Sequence, residues 1–339
     1  MPVIEGLPDL ASVLEAWGLA GVPEEPLEHD GWSGALLTQL TRPDGARFVL
    51  KRDSVERDWI ARATDDRDLR EAQLVHANPL MPAPVGLPHI AIATDGHEIA
   101  ELMPNLTGTL LRWEAPIDEA ALDRVLGALV ALHQTPWQHQ LPASFPWTGL
   151  RTRVLMLTRP TAMHYQELGL PVGARFVAGW DAFDRLVRPP VRALVEELAT
   201  DPERLLAALG RLPVAGLHGD LKIGNAGLDR DGTVWLIDWQ LSLVAPVAVE
   251  LGWFLVCNSA SLPLTPEAVL ERYRVLAGIE DDATWHATWD LAVLVGLLLR
   301  GWRKGLDTEA GVVYPSGKAA AYDLAWWGSQ AIGAAARRL

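Results

Sequence analysis

The pattern of apolar and polar positions divides the chain into a strand-rich first third and a helix-rich remainder. Residues 9–19 have helical spacing. Residues 35–40, ALLTQL, and 46–51, ARFVLK, read as two strands. TRPDG between them is turn chemistry: proline pre-sets the turn, and aspartate and glycine tolerate its dihedrals. This hairpin follows the glycine-bearing stretch HDGWSGA. Residues 55–77 read as a charged helical stretch that ends before LMPAPVGLP. HIAIAT and HEIAELM flank Asp95-Gly96, the strongest hairpin signal in the chain. Residues 118–133 form a periodic Ala/Leu helix. From 136 to 215 proline and glycine interrupt the pattern, and only 188–199 and 202–209 stand out as helical. Short strands are expected around 217–237, and helices over 266–278, 284–304 and 318–338. There is no internal repeat. The expected class is α+β, with a boundary in MPNLTGT that separates residues 1–104 from 105–339.

Composition narrows the function. The chain has 339 residues, 49% hydrophobic and 21% charged, which suits a globular protein with a sizeable core. The single cysteine, Cys257, excludes an internal disulfide and a thiolate zinc site, and fits a reducing compartment. The N-terminus lacks a basic n-region, so a cytoplasmic location is expected. The longest apolar run, LAVLVGLLL at 291–299, is far short of the ~20 residues of a membrane span and reads as a buried helix. A net charge of −14 argues against a nucleic-acid partner, which requires a basic face. Nearly all the surplus lies early: residues 1–130 hold 22 acids and 10 bases, residues 131–339 hold 21 and 19.

Two stretches carry chemistry: GLHGDLKIGN at 216–225 and VWLIDW at 234–239. The first places His218, Asp220, Lys222 and Asn225 in one loop. The second buries the Asp238 carboxylate after an apolar run, at a cost unless it is paired or metal-bound. Phosphoryl transfer requires such a set: a carboxylate to orient the attacking hydroxyl, oxygen ligands for magnesium, and cations on the phosphates. Asp220 is the candidate base, Asn225 and Asp238 the candidate metal ligands, and Lys222 the candidate contact to the transferring phosphate. The blander alternative makes Asp220 a turn residue. For His218 a buried structural role is expected.

HGDLKIGN followed by LIDW resembles the catalytic and metal-binding loops of the aminoglycoside phosphotransferase and choline kinase group, small-molecule kinases with the protein-kinase-like fold. The resemblance spans about residues 30–255. It implies a two-lobed fold: a small antiparallel-sheet lobe with one helix that binds nucleotide, and a larger, mainly helical lobe that binds substrate. It implies ATP, or another nucleoside triphosphate, and Mg2+. It also requires a lysine on the third strand held by a glutamate on the next helix. Lys51 and Glu71 meet those positions if a short strand precedes the hairpin, with Glu101 and other acids as rival partners. Ser33 and Gly34, in Gly31-Trp32-Ser33-Gly34, take the place of the phosphate-covering loop. The backbone from Glu101 through Met103 to Pro104 takes the adenine-binding place. The phosphate loop has fewer glycines than a protein kinase's. APVAVE, with Glu250, replaces the GDP-x-x-D that many relatives carry after the second aspartate.

The expected function is ATP- and magnesium-dependent phosphorylation of a small-molecule hydroxyl, with no nucleic-acid or membrane partner. The alternative is a kinase-like nucleotide-binding or regulatory module without turnover, which would need a broken catalytic set; no key position is broken. The lack of a long activation segment after Asp238 argues against a protein substrate. GVVYPSGKA at 311–319 lacks P-loop spacing and its hydroxyl residue. Residues 131–339 hold 11 of the 15 tryptophans, among them Trp137, Trp147, Trp180, Trp253, Trp285, Trp289, Trp302, Trp326 and Trp327. Flat faces and a small local charge surplus favour an uncharged or singly charged ring, such as a sugar, as acceptor. The competing reading is that these tryptophans fill the core.

Overall fold

The computed structural model of the chain describes residue 4, residues 6–28, residue 31 and residues 33–339. Helix α1 (Leu10–Ala16) begins where the Asp9 carboxylate accepts the amides of Ala11 and Ser12. Strands β1 (Glu24–Pro26), β2 (Leu36–Thr41) and β3 (Arg47–Asp53) follow, then helices α2 (Trp59–Ala63) and α3 (Arg70–Ala77). Strands β4 (Val85–Gly86), β5 (Ala91–Thr94) and β6 (Ile99–Pro104) complete this part. Five of the strands form an antiparallel sheet in the order β1-β2-β3-β6-β5. Its period-two alternation sorts side chains by face. Leu40, Phe48, Leu50 and Leu102 pack with Leu10 and Val13 of α1. Lys51 and Glu101, which are paired in the register, share the other face.

The 55–77 stretch is two helices rather than one. Asp58 caps α2 through the amides of Ile60 and Ala61, and the Asp66 carboxylate accepts the Arg70 amide at the start of α3. Between the helices, Asp65 and Leu69 adopt positive φ. Local aspartate bonds here compete successfully with continuous helix.

The remainder is mainly helical: α4 (Glu119–Gln134), α5 (Leu150–Leu155), α6 (Arg159–Glu167), α7 (Gly173–Leu186), α8 (Pro189–Thr200) and α9 (Glu203–Leu209). Four short strands come next: β7 (Val214–Leu217), β8 (Ala226–Leu228), β9 (Val234–Leu236) and β10 (Leu243–Pro246). β10 pairs with β7, and β9 pairs with β8 and with β4, which reaches over from the first part of the chain. Helices α10 (Val247–Asn258), α11 (Pro266–Ala277), α12 (Asp282–Glu309) and α13 (Ala320–Arg338) close the chain. The apolar run 291–299 is buried throughout in the middle of α12. Among the described residues no helix is long and apolar enough to cross a membrane.

Most of the tryptophans serve this core. Trp137, Trp180, Trp302 and Trp327 are fully buried, and Trp253 and Trp285 nearly so. The expectation that their faces line an acceptor pocket is corrected: packing density, not ring recognition, explains those six.

α10 and α12 touch backbone to backbone. A Cβ on Gly252 would lie 2.2 Å from the Ala292 carbonyl oxygen. Gly252→Ala should therefore destabilise by about 1–3 kcal/mol through overpacking. Gly127, inside α4, has open space around its Cβ position, so Gly127→Ala should stabilise by about 0.5–1 kcal/mol. Urea unfolding of both variants checks the pair; a Gly252→Ala variant as stable as the wild type would contradict this account of the α10–α12 contact.

Candidate active site

β7 runs directly into the loop His218–Asn225. Gly219 has φ +84°, and a Cβ there would sit 1.9 Å from the Leu241 carbonyl oxygen, so only glycine fits. His218 is fully buried; burial lowers its pKa against the pull of Glu250 and Asp220. Its Nδ1 accepts the Asp220 amide at 3.2 Å, and Nε2 donates to the Ile237 carbonyl at 2.9 Å. Both ring nitrogens are engaged with backbone, which makes His218 a brace for the loop.

Two buried charges hold the loop from beneath. Glu250, in the first turn of α10, accepts the amides of His218 at 3.1 Å and Gly219 at 2.7 Å. It also bonds His133 Nε2 at 2.9 Å, and His133 Nδ1 meets the Tyr273 hydroxyl at 2.8 Å. Burial favours the neutral acid, but His133 and the loop amides outweigh it and keep Glu250 below the usual range. From the other side Arg153 donates Nε and Nη2 to the Gly219 carbonyl at 2.9 and 2.8 Å. Its guanidinium lies 4.5 Å from the Trp253 ring.

Asp220 is 7% exposed, and its carboxylate lies 3.2 Å from Lys222 Nζ. Burial opposes the Lys222 charge, but Asp220 and Asp238 outweigh it and raise the pKa. Asn225 donates its side-chain amide to the Asp220 carbonyl at 2.9 Å, which turns its Oδ1 away. The Asn225 carbonyl accepts the Ile237 amide at 3.1 Å, bringing Asn225 beside Asp238. Asp238 follows β9 at φ +64°, a conformation that aspartate tolerates better than most residues. Burial disfavours its charge; Lys51 and Lys222 more than offset that and hold it below the usual range.

Lys51 sits on β3, the third strand, and is 5% exposed. Its ammonium pairs with Glu71 on α3 and lies 3.3 Å from Asp238 Oδ1. Burial works against this charge, but Glu71, Asp238, Glu101 and Asp53 together raise its pKa well above the lysine range. The second Glu71 oxygen accepts the Trp239 amide at 3.1 Å. Next to Glu71, buried Arg70 donates to the carbonyls of Pro146 and Gln240, tying α3 to the helical part.

Glu101 lies in the middle of β6, between β3 and β5, so its backbone is engaged in both ladders. It enters the site by its side chain instead, 3.3 Å from His89 Nε2 and on the Lys51 face. Burial opposes its charge, and Lys51 and His89 bring its pKa below the usual value. Met103 is opposite Val49, one residue beyond the last β5 pairing. Ser33 and Gly34 precede β2. The Ser33 hydroxyl accepts the Ala35 amide at 3.3 Å, and its carbonyl accepts the Trp59 amide at 3.0 Å. Gly34 has φ +104°, and a Cβ there would be 2.5 Å from the Arg57 carbonyl oxygen. Trp32, of the same loop, lies outside the described residues.

Arg153 and His89 were not found by sequence reading. Arg153 falls in the stretch whose pattern is broken by proline and glycine, and it acts on a carbonyl 66 residues away. His89 follows Pro88 and had no partner in any motif. One signal was present for Glu101: it is the one acid within the apolar strand IAELMP.

A small antiparallel sheet set against a larger helical part, with these loops between, is the two-lobed protein-kinase-like fold. Residues 29–291 match the model of the phosphotransferase enzyme family, and the chain belongs to that family. Solved structures share the fold. A spectinomycin phosphotransferase in complex with ADP and spectinomycin is 13% identical, covers 95% of this chain and 98% of its own, and has a TM-score of 0.53. An ethanolamine kinase of Plasmodium vivax is 13% identical, covers 93% of this chain and 82% of its own, and has a TM-score of 0.50. An amicoumacin kinase in complex with AMP-PNP and Ca2+ is 14% identical, covers 95% and 93%, and also has a TM-score of 0.50. No curated protein matches this chain.

Glu250→Ala leaves the buried amides of His218 and Gly219 without an acceptor and should cost about 3–5 kcal/mol of stability. The Glu250 carboxyl is lower in pKa folded than unfolded. Its contribution is therefore full above the usual carboxylate range and lost as pH falls through the folded value. The gap between wild type and variant, measured by denaturant unfolding, should narrow from pH 7 to pH 3. A gap independent of pH would refute the assignment.

Proposed function

We propose that the protein is a nucleoside-triphosphate-dependent O-phosphotransferase that phosphorylates a hydroxyl of a small molecule. Residues 1–104 form the lobe that binds the nucleotide, ATP in the simplest case, and residues 105–339 the lobe that binds the acceptor. The observation that carries this reading is the convergence of three distant segments on one point. Lys51 lies 3.3 Å from Asp238, and Lys222, which feels the Asp238 charge, lies 3.2 Å from Asp220.

The acceptor hydroxyl approaches Asp220. As its oxygen bonds to the γ-phosphorus, the bond to the bridging oxygen of the nucleoside diphosphate breaks, and the proton passes to the Asp220 carboxylate. Lys222 neutralises charge on the transferring group, and Lys51, fixed by Glu71, that on the remaining phosphates. Asn225 Oδ1 and the Asp238 carboxylate are hard oxygen donors of the kind magnesium takes, and they would hold it. When bound, the ion neutralises phosphate oxygens. Ser33 and Gly34 cover the phosphates, and the end of β6 around Met103 meets the base.

Asp220→Asn should lower kcat by about 10²- to 10⁴-fold while nucleotide affinity and melting temperature hold. A rate near wild type would remove Asp220 from the base role. Asp238→Ala should abolish the magnesium-dependent part of nucleotide binding, read by calorimetry with and without the metal. Unchanged affinity in magnesium, with the variant folded, would overturn the ligand assignment.

A further inference from the structure

Arg300 on α12 is half-buried, and its charge acts on Lys222 of the loop that also carries Asp220. Its guanidinium carbon lies 5.7 Å from the centre of the Trp253 ring and 5.7 Å from that of Trp302. Trp253 also stacks on Arg153, the side chain that holds the Gly219 carbonyl. The Asn258 side-chain oxygen accepts the Ile223 amide at 2.8 Å, which fixes the end of α10 to the same loop. Arg300 is thus one aromatic ring away from the clamp beneath the catalytic loop, and its charge opposes that of Lys222.

Two more guanidiniums gather here. Arg303 is three residues further along α12. Arg175 is on α7, where Phe176 packs on Trp302 at 4.5 Å and a Cβ on Gly179 would meet the Trp302 carbonyl at 2.6 Å. Burial lowers the Arg175 pKa, and repulsion from Arg303 and Arg300 lowers it further.

The acids nearby are already matched. Asp307 pairs with Arg303 at 2.8 Å and accepts the Tyr314 hydroxyl at 3.3 Å. Asp323 pairs with Lys304 at 2.6 Å. Arg300 has no ion pair with a carboxylate among the described residues; aromatic faces support it instead. Such a guanidinium keeps its N–H fork for a carboxylate or phosphate.

On the phosphotransferase reading above, we propose that the acceptor carries an anionic group, a carboxylate or a phosphate. Arg300 receives it. The anchored anion turns the acceptor's hydroxyl end toward Asp220. A polycationic acceptor meets like charge at this wall. Of the uncharged or singly charged ring expected from the sequence, this proposal takes the singly charged form, as an acid.

The test is a matched acceptor series on one sugar skeleton: the neutral sugar, its uronic acid, its phosphate monoester and its amine, with ATP and magnesium. One of the two anionic members should have the highest kcat/KM, and which one it is identifies the group. Arg300→Met should raise the KM for that member about 100-fold with a smaller change in kcat. Arg300→Lys, which keeps the charge but not the fork, should recover part of the loss. A preference for the neutral or amino sugar overturns the proposal, as does an unchanged charge preference in the folded Arg300→Met variant. Nucleotide binding without phosphorylation of either anionic member counts against it in the same way. Each of these outcomes leaves the phosphotransferase reading intact. A wild-type protein that neither binds ATP nor turns over any member overturns that reading, and this proposal with it.

Discussion

One buried carboxylate, that of Glu71, sets the geometry of the whole site. One oxygen takes the Lys51 ammonium and the other takes the Trp239 amide. All of these groups are out of water. An ion pair in that setting gains little over an apolar pair, yet losing one partner leaves a bare charge and costs several kcal/mol. The constraint therefore works as a requirement of coincidence. β3, α3 and the turn after β9 must arrive together, and Asp238 is then carried to 3.3 Å from Lys51. Arg70 reinforces this with bonds from the same helix to two carbonyls of the helical part.

The loop His218–Asn225 follows the same logic with no regular structure of its own beyond a short 3-10 turn at Ile223–Asn225. Glu250 takes its amides from one side and Arg153 its carbonyl from the other. Gly219 must be glycine because Leu241 occupies the space of a side chain. The result is a loop pinned by two buried charges, Glu250 and Arg153. Lys222 and Asp238 remain partly open to solvent, at 40% and 41% side-chain exposure. The division is physical: the groups that brace the loop are buried and saturated, and Lys222 and Asp238 keep an open side.

What could be read from the chain alone follows from the range of the forces involved. Hairpins at TRPDG and Asp95-Gly96 and the long α12 are written in local turn chemistry and periodicity, and all three are present. Asp220, Asn225 and Asp238 were visible because spacing within a short stretch is local; Lys51 and Glu71 were reached only through the family resemblance built on it. The break between α2 and α3 was missed because aspartate side-chain bonds decide it. Arg153 and His89 were invisible for another reason: their partners are far away in sequence. Glu101 was assigned to the nucleotide through its backbone, yet its side chain is what faces Lys51, which strand alternation from Lys51 across β3 and β6 determines once the register is known. The role of Glu250 was open in sequence and is clear only when the His218 and Gly219 amides are seen to converge on it.

Charge shows the same difference between sums and places. Residues 131–339 are nearly balanced, 21 acids to 19 bases, and that sum suggested an uncharged or singly charged acceptor. Pairing makes the sum uninformative. Asp290 is held by Arg337 and Arg338 at 2.6 and 2.7 Å, Asp323 by Lys304, Asp307 by Arg303. Each match removes an acid and a base together from what an incoming molecule feels. The local field is set by whatever is left, and the Arg300 guanidinium beside two tryptophan rings is left because aromatic rings stabilise it without neutralising it. A chain with a net charge of −14 can therefore meet its acceptor with a positive wall, provided its acids are paired or lie elsewhere.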